Sequence, residues 1–396
     1  MHSGSPRRLS FSGYVLDLQR CALMHGDQEI QLRPKSFDVL RYLAEHAGRL
    51  VSKEELIKAS WPDTFVTDDS LVQCIKDIRE ALADGDHQIV KTVPRRGYLF
   101  AAELSVSNGD TMVVATAARA PEITFCRTKD GINLAVGCLG QGMPLVRTSH
   151  WMTNVEYEWQ NPLRAPLLHF LAARFRLIRY DGRGNGLSDW DVADVSFNAL
   201  QHDLETVVDA LGLRSYALLG MSQGAALAIA HAIRYPGRVS KIVLLGAYAL
   251  GYAKRPSRKG FDMTAFLALM REGWGDEHSA FQKMLSTVFL PDASAEQIGW
   301  LAELQRKAAS PENAVRLRRT FDDIDVVDLL RKVSAPTLVL HCRHDNLVPY
   351  EEGRRIAKSI PNAKFVTLES ENHIPRSFEP TWPIFLGEIE TFLLEE

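Results

Sequence analysis

The sequence predicts two domains, a small α+β domain over residues 1–104 and an α/β domain over residues 122–396 with a mostly parallel sheet. A chain of 396 residues is longer than one ordinary hydrophobic core accommodates. Residues 105–121 are rich in small side chains and show no helical or strand period, which is typical of a linker. Beyond them, apolar runs of strand length alternate with helix-like segments, which indicates a parallel sheet covered on both faces.

Composition excludes several classes of protein. With 46% apolar and 24% charged residues the chain has the balance of a globular protein, and no apolar run approaches the roughly 18 residues of a membrane helix. The first residues lack the apolar core of a signal peptide. The five cysteines are far apart and form no CxxC pair, which favours reduced thiols over disulfides or a zinc site. We therefore expect a cytoplasmic protein with no membrane segment, no metal and no cofactor.

The charge balance provides no general attraction to nucleic acid. The whole chain carries a net charge of −3, and residues 1–104 contain 14 Lys and Arg against 15 Asp and Glu, a net of −1. Any binding of DNA must therefore come from a local surface of the first domain.

The first domain shows short strand patterns, then three amphipathic helices, then a hairpin. Pro34 suits the first turn of a helix, Gly48 suits its end, and Ser52 suits an N-cap because Glu55 stands three residues later. The elements are expected in this order: strands over 11–33, helices beginning at Pro34, Ser52 and Thr67, and a hairpin over 89–100.

Three segments carry a family resemblance: LRPKSFDVLRYLAEHAGRLVSKEELIKASWP, VTDDSLVQCIKDIREAL and IVKTVPRRGYLF. In this order they resemble the winged-helix effector domain of OmpR/PhoB-type response regulators and of CadC-like regulators, over about residues 11–103. The resemblance implies that DNA is a partner, that the helix over 67–83 enters the major groove, and that the hairpin touches the adjacent backbone or minor groove.

Two sets of polar side chains are candidates for DNA contact. Gln and Arg can pair with adenine and guanine through two hydrogen bonds, whereas Lys serves phosphate or base. The helix offers Gln73, Lys76 and Arg79, and the wing offers Lys91, Arg95 and Arg96 in a stretch without an acidic residue. The alternative is that these are ordinary solvated charges, and Asp77 adds repulsion near DNA.

In the second domain, residues 220–224 read Gly-Met-Ser-Gln-Gly between the strand-like SYALL and the helix-like AALAIAHAIRYP. This is the strand–turn–helix context of a nucleophile elbow, in which glycines permit a very tight turn and Ser222 projects from it. The alternative is an ordinary strand-to-helix turn.

An acid and a base follow at the ends of later strands. Asp345 comes after TLVLHC, and His373 comes after the next strand. A serine nucleophile needs a base to accept its proton, and the base needs an anion to hold its tautomer. Ser222, Asp345 and His373 are therefore the expected catalytic triad.

With these motifs, about residues 121–395 resemble the α/β-hydrolase family, which implies the order Ser, acid, His found here. The expected oxyanion donors are the backbone N–H groups of Gln223 and Trp151. The sequence departs from the family where its usual His-Gly pair reads Ser149-His150. RYDGRGNGLSDWD at 179–191 resembles a segment of epoxide-hydrolase, haloperoxidase and esterase-like members, and is interpreted as a supporting turn.

Residues 250–328 lack strand-like runs and are expected to form a helical cap over the active site. His150, Trp274 and Phe281 are candidates for lining a ligand pocket, with packing in the cap core as the alternative for the two aromatic residues.

Two functions are compatible with these features. The first is a DNA-binding transcriptional regulator, with a homodimer expected by analogy, whose hydrolase domain binds or also hydrolyses a small ester- or lactone-like or apolar ligand. The second is an active serine hydrolase of esterase type, or a cofactor-free perhydrolase, with an accessory DNA-binding domain. The fusion itself motivates the first hypothesis, because tethering a pocket to DNA makes a sensor. The complete triad favours the second.

Overall fold

The computed structural model describes residues 7–18, 22–26, 28–61, 66, 68–94, 96–102, 105–108, 120–255, 262–291, 293–377 and 379–395. The chain divides into two compact units, Met1–Ala118 and Arg119–Glu396. Within the described ranges, no helix is both long and apolar enough to cross a membrane.

The described residues of the first unit form two small antiparallel sheets and three helices. Its strands are β1 (Arg7–Phe11), β2 (Tyr14–Asp17), β3 (Ala22–His25), β4 (Gln28–Ile30), β5 (Leu50–Val51), β6 (Val90–Val93), β7 (Gly97–Phe100) and β8 (Ser105–Asn108). Its helices are α1 (Pro34–Glu45), α2 (Lys53–Ser60) and α3 (Asp68–Ala81). The sheet orders are β4-β3-β2-β1-β8 and β5-β7-β6. Because β8 pairs with β1, the first four residues of the segment expected to be a linker lie in the N-terminal sheet, and 109–119 fall outside the described residues.

Local sequence explains these helices. Pro34 stands at the start of α1, where the absent N–H costs no helical hydrogen bond. The Ser52 hydroxyl accepts the N–H of Glu55 at 3.2 Å and begins α2. The buried side of α3 carries Leu71 and Ile75 at a spacing of four residues.

The terminal hairpin is attached to the helices by two specific features. Gly97 has φ +137°, and a Cβ there would overlap the carbonyl oxygen of Val51, so only glycine fits. After α3, the buried carboxylate of Asp84 accepts the backbone N–H groups of residues 88, 89 and 90 at 2.6, 3.0 and 2.8 Å. The base of the wing is therefore held by one glycine and one carboxylate.

The second unit is built on an eight-stranded sheet of order β16-β15-β14-β13-β11-β12-β10-β9. Its strands are β9 (Glu122–Arg127), β10 (Asn133–Leu139), β11 (Pro144–Arg147), β12 (Arg176–Tyr180), β13 (Tyr216–Met221), β14 (Val239–Leu245), β15 (Thr337–Cys342) and β16 (Lys364–Leu368). β9 and β10 pair in antiparallel fashion, as do β10 and β12, and the other pairs among β11 to β16 are parallel. Every residue of β13 and of β15 is buried, as expected for strands covered on both faces.

Helices cover both faces of this sheet and form the cap. Those of the main body are α4 (Ala165–Ala172), α5 (Phe197–Ala210), α6 (Gly224–Arg234), α11 (Tyr350–Ser359) and α12 (Trp382–Leu394). Between β14 and β15 lie α7 (Met263–Gly273), α8 (Ala280–Phe289), α9 (Ala295–Ala308) and α10 (Pro311–Asp322). Each cap helix begins after a side chain that accepts a backbone N–H, namely Asp262, Ser279, Ser294 and Ser310. These four helices lie within residues 250–328, where a helical cap over the active site is expected.

Candidate active site and DNA-binding surface

Ser222 lies on a tight turn between β13 and α6. Its φ is +52°, an unusual conformation for a residue with a side chain. The flanking glycines leave room for the turn, since a Cβ on Gly220 would lie 2.7 Å from Ala225 Cα and one on Gly224 would lie 2.5 Å from Thr148 Oγ1. The half-buried serine hydroxyl is thus displayed at the end of a central strand.

His373 and Asp345 form a buried hydrogen-bonded pair, with 2.7 Å between His373 Nδ1 and Asp345 Oδ2. The other oxygen of Asp345 accepts the backbone N–H groups of Leu347 at 2.8 Å and Val348 at 3.0 Å. Burial raises the pKa of Asp345, but the charge and hydrogen bond of His373 and the backbone donors outweigh it, so that the pKa lies below its usual range. The carboxylate therefore stays ionised and holds the proton of the imidazole on Nδ1.

The serine turn and the imidazole meet at the end of β14. Ser222 donates its backbone N–H to Leu245 O at 2.9 Å, and the next residue, Gly246, has φ +55°. A Cβ on Gly246 would lie 2.7 Å from His373 Cε1, so glycine is required for the imidazole to occupy this position. His373 Nε2 is buried and has no hydrogen-bond partner within the described part of the chain, which leaves it able to accept a proton.

Gln223 links the nucleophile to the expected oxyanion donor. In the amide orientation that satisfies its neighbours, its nitrogen donates to Ser222 Oγ at 2.8 Å. Its oxygen accepts both the backbone N–H and the indole Nε1–H of Trp151, each at 3.2 Å. A carbonyl oxygen thus already occupies a position in front of two Trp151 donors, and the second of them, on the indole ring, was not predicted from the sequence.

A small cavity of about 50 Å³ opens beside the nucleophile. It is lined by Trp151, Ser222, Gln223, Tyr248, Tyr252, Arg255, Phe289, Arg318, Phe321, Asp322, Leu347 and Val348. Arg255 and Arg318 were not predicted, since basic residues are frequent between 250 and 328 and no spacing distinguishes these two.

Trp274, Phe281 and His150, predicted as pocket candidates, are not among the lining residues. Trp274 and Phe281 are buried within the cap, where the Trp274 indole N–H donates to the carbonyl oxygens of Gln305 and Ala309. Large aromatic side chains bury more apolar area in a helical core than at a small cavity.

His150 is also buried and does not line this cavity. Its Nδ1 accepts the Met152 N–H at 3.3 Å, and burial lowers its pKa well below the usual value, so the imidazole is neutral. With Ser149 it lines a neighbouring pocket, and Phe321 lines both that pocket and the cavity beside Ser222.

In the first unit, α3 exposes two of the predicted DNA contacts. Gln73 and Lys76 are exposed, although the Gln73 amide donates to Asp77 Oδ1 at 2.8 Å and Lys76 lies 3.9 Å from Glu80. Both partners are on the same helix, where such surface pairs are weak and exchange with other ligands.

Arg79 differs from the prediction of a base-contacting residue. Its guanidinium donates to Val90 O at 3.1 and 2.7 Å and to Thr92 Oγ1 at 2.9 Å. Because these bonds join α3 to β6, we interpret Arg79 as a residue that fixes the hairpin on the helix.

The wing retains its exposed positive charge. Lys91 on β6 and Arg96 in the turn are both exposed, and the Arg96 N–H donates to Val93 O at 3.0 Å. Arg95 lies outside the described residues.

The fold and the site define a class of protein: an α/β-hydrolase joined to a winged helix. A family model described as alpha/beta hydrolase fold matches residues 149–380, and the chain belongs to this family. A second model, transcriptional regulatory protein, C terminal, matches residues 27–100, which makes the first unit a DNA-binding domain of OmpR/PhoB type. The predicted fold class and the predicted fusion are both confirmed.

Relatives and solved structures agree with this assignment. The chain is 27% identical over 256 residues to the AB hydrolase superfamily protein YisY of Bacillus subtilis, covering 63% of this chain and 91% of that protein. It is 30% identical over 261 residues to the non-heme chloroperoxidase CPO-A1 of Kitasatospora aureofaciens, covering 63% and 91%. An esterase from Exiguobacterium antarcticum superposes with a TM-score of 0.57 at 24% identity, covering 69% of this chain and 99% of that one, and shares the fold.

Proposed function

We propose that this protein is a DNA-binding regulator whose α/β-hydrolase domain binds a small ester- or lactone-like ligand and hydrolyses it at Ser222. One observation carries the proposal: the chain that contains an OmpR/PhoB-type domain also contains a serine on a tight turn and a buried His373–Asp345 pair. A ligand that binds one state of the hydrolase domain more tightly shifts the chain toward that state, and such a shift can alter DNA binding.

The chemistry follows from the arrangement of the triad. Ser222 Oγ attacks the ester carbonyl carbon while its proton passes to His373 Nε2, and Asp345 stabilises the imidazolium. When the carbon–oxygen bond breaks, His373 returns that proton to the leaving alkoxide. A water molecule, activated by the same imidazole, then cleaves the acyl-serine and releases the acid.

The oxyanion formed in the first step needs donors that are already oriented. The backbone N–H groups of Gln223 and Trp151 suit this role, and the Trp151 indole N–H adds a third donor. The Gln223 carboxamide faces the Trp151 donors in the free protein, so its side chain must withdraw when a substrate carbonyl enters. Exchange of one carbonyl oxygen for another leaves these donors paired in both states.

A second candidate function is a serine hydrolase or perhydrolase that the DNA-binding domain merely localises. The complete triad favours it, because a domain that only binds a ligand needs no base. One relative that is 25% identical over 262 residues is named a bifunctional esterase/perhydrolase of Acinetobacter calcoaceticus. Its name supports both the hydrolase and the perhydrolase as candidate activities. The two functions differ in whether a ligand changes the affinity for DNA.

The hydrolase activity is tested with p-nitrophenyl butyrate and a fluorophosphonate probe. We expect the protein to release p-nitrophenol and to be labelled at Ser222, and we expect Ser222→Ala to abolish both. Ser240→Ala is the matched control, because Ser240 is exposed on β14. A folded protein that neither cleaves the ester nor reacts with the probe would contradict the hydrolytic part of the proposal.

The regulatory part is tested by gel shift on the promoter fragment of the protein's own gene, with and without ethyl butyrate as the ester. We expect replacement of Arg95 and Arg96 by alanine to weaken binding to DNA. The slope of the logarithm of the DNA association constant against the logarithm of the salt concentration should become shallower by about one for each phosphate that is no longer neutralised. The adjacent pair Arg354 and Arg355, half-exposed or exposed on α11, provides the control with the same change in charge. We also propose a homodimer on DNA, by analogy with other winged helices, and a shifted complex containing one chain would contradict it.

A further inference from the structure

Two arginines line the cavity that contains the nucleophile. Arg255 follows the single helical turn Tyr252–Lys254 after β14, and Arg318 lies on α10 of the cap. Both side chains face the same small cavity as Ser222. Apolar walls would be sufficient for a neutral ester, so this charge calls for a physical explanation.

Arg318 is held in place by its neighbours. Its Nε donates to both carboxylate oxygens of Asp322, each at 2.9 Å, and its guanidinium carbon lies 5.6 Å from the ring centre of Trp151. The contact with Trp151 places the cation beside the residue that offers the oxyanion donors. The terminal nitrogens of Arg318 remain available to a ligand, because only Nε is used by Asp322.

Arg255 has no comparable partner. Its Nε donates to Leu250 O at 2.9 Å and its guanidinium carbon lies 4.9 Å from the ring centre of Tyr248. Within the described ranges, no carboxylate oxygen lies within 4.0 Å of it. Burial lowers the pKa of Arg255, and the charges of Glu352 and Asp322, which act in the opposite direction, offset that effect only in part.

The charges of the lining residues therefore do not balance. Among the lining residues that the structure describes, two guanidinium groups, Arg255 and Arg318, face one carboxylate, that of Asp322. Arg255 and Arg318 are half-buried, and a partly desolvated cation with no carboxylate in contact is stabilised by a ligand that brings negative charge. The cavity is accordingly suited to an anion, and a planar carboxylate fits the paired N–H groups of a guanidinium.

The position of His373 indicates which half of a substrate enters this cavity. A second cavity of about 40 Å³ lies on the His373 side, and its apolar walls include Leu163, Leu290 and Leu301. Its polar walls include Arg164 and Arg376. Because the imidazole must protonate the leaving oxygen, the alcohol half of an ester lies on that side and the acyl half lies on the Arg255 side.

We propose that Arg255 and Arg318 bind a carboxylate on the acyl half of the substrate, which is a half-ester of a short dicarboxylic acid. This inference rests on the proposed hydrolase function and specifies its substrate class. Anion binding here uses side chains of the cap and of the loop after β14, and Ser222 then attacks the uncharged ester carbonyl of the same molecule.

The test compares monoethyl succinate with ethyl valerate, an uncharged ester of similar acyl length, by pH-stat. Hydrogen bonds to charged groups contribute enough for about a tenfold difference or more. We expect kcat/KM to favour monoethyl succinate by about tenfold in the natural protein. Arg255→Gln should lower the ratio of the two kcat/KM values from about ten to about one. Lys254→Gln removes the same charge from a neighbour outside the cavity and should retain the preference.

A binding measurement separates this inference from the hydrolase proposal. In the Ser222→Ala protein, monoethyl succinate should raise the melting temperature more than ethyl valerate does, and Arg255→Gln should abolish the difference. Equal kcat/KM for the two esters would overturn the anion site and leave the hydrolase proposal standing. Hydrolysis of neither ester, together with the thermal shift, would support the anion site and count against hydrolysis. Absence of the thermal shift would overturn the anion site.

A second pair of esters tests which half of the substrate carries the charge. A preference for 4-butyryloxybenzoate over phenyl butyrate, with none for monoethyl succinate, would assign the charge to the leaving group and refute the acyl assignment.

Discussion

Replacing Asp345 by Asn tests whether the carboxylate works by setting the tautomer of His373. In the natural protein one oxygen of Asp345 accepts two backbone N–H groups, from Leu347 and Val348, and the other faces His373 Nδ1 at 2.7 Å. An asparagine must direct its carbonyl oxygen at the two backbone donors, so its NH₂ faces His373. The imidazole can then pair only by carrying its proton on Nε2, and Nε2 can no longer accept the proton of Ser222.

The expected loss is large because the base is lost while the fold is kept. The side chain has the same size and the two backbone bonds remain, so we expect the melting temperature to change by a few degrees at most. Loss of the correct tautomer in a serine triad lowers kcat by about 10⁴, with the remaining catalysis due to the oxyanion donors and binding. Initial rates with p-nitrophenyl butyrate measure this directly, and Glu351→Gln on α11, an exposed carboxylate, is the matched control. Retention of more than about a tenth of the natural kcat by a folded Asp345→Asn protein would refute the argument.

Three further predictions concern stability. Glu158 is buried and accepts hydrogen bonds from Arg147 at 2.9 and 2.5 Å and from Arg179 at 3.4 Å. Glu158→Gln should lower the free energy of unfolding, measured in urea, by about 3–5 kcal/mol, because two guanidinium groups lose their counter-ion. A loss below about 1 kcal/mol would contradict this prediction. Burial raises the pKa of Glu158, but Arg147 and Arg179 bring that pKa down from 4.5 to about 2. The ionised carboxylate should therefore stabilise the fold by on the order of 3 kcal/mol above pH 4.5, and this contribution should disappear as the pH falls toward 2. When unfolding is followed across that pH range, the Gln variant should show a weaker dependence on pH. Asp84→Ala removes the acceptor of three backbone N–H groups at the base of the wing. The first unit should lose about 1–3 kcal/mol of stability, and the amide hydrogens of residues 88–90 should exchange faster with solvent. Unchanged exchange at these residues would count against the prediction.

The secondary structure of the first unit could be predicted closely from local patterns. Pro34 and Ser52 begin helices where proposed, because capping depends on residues within one turn of each other. Strand β8 was missed, since four residues in a small-residue segment carry no pattern and their strand exists only through pairing with β1. Arg79 was expected to contact DNA, but its bonds to the hairpin depend on how α3 and β6 approach each other.

In the cap region, too, the sequence did not show which side chains would line the cavity, because tertiary packing decides this. Trp274 and Phe281 were candidates for the pocket, and the packing of four helices encloses them in the cap instead. Composition cannot distinguish an aromatic residue that lines a cavity from one that fills a core, because both need apolar neighbours.

Local chemistry was sufficient for the architecture, because apolar alternation predicts the strands and helices. Glycine spacing around Ser222 predicts a tight turn, and the same local patterns are the basis for expecting Ser222, Asp345 and His373 to form a triad. These depend on residues adjacent in the chain. The distance of 2.7 Å between His373 and Asp345, the donors of Trp151 and the charge of Arg255 and Arg318 beside Ser222 depend on the packing of segments far apart in sequence. The class of fold can thus be predicted from local pattern. The charge and the hydrogen-bond donors of the cavity, in contrast, are decided only when the cap and the strand ends come together.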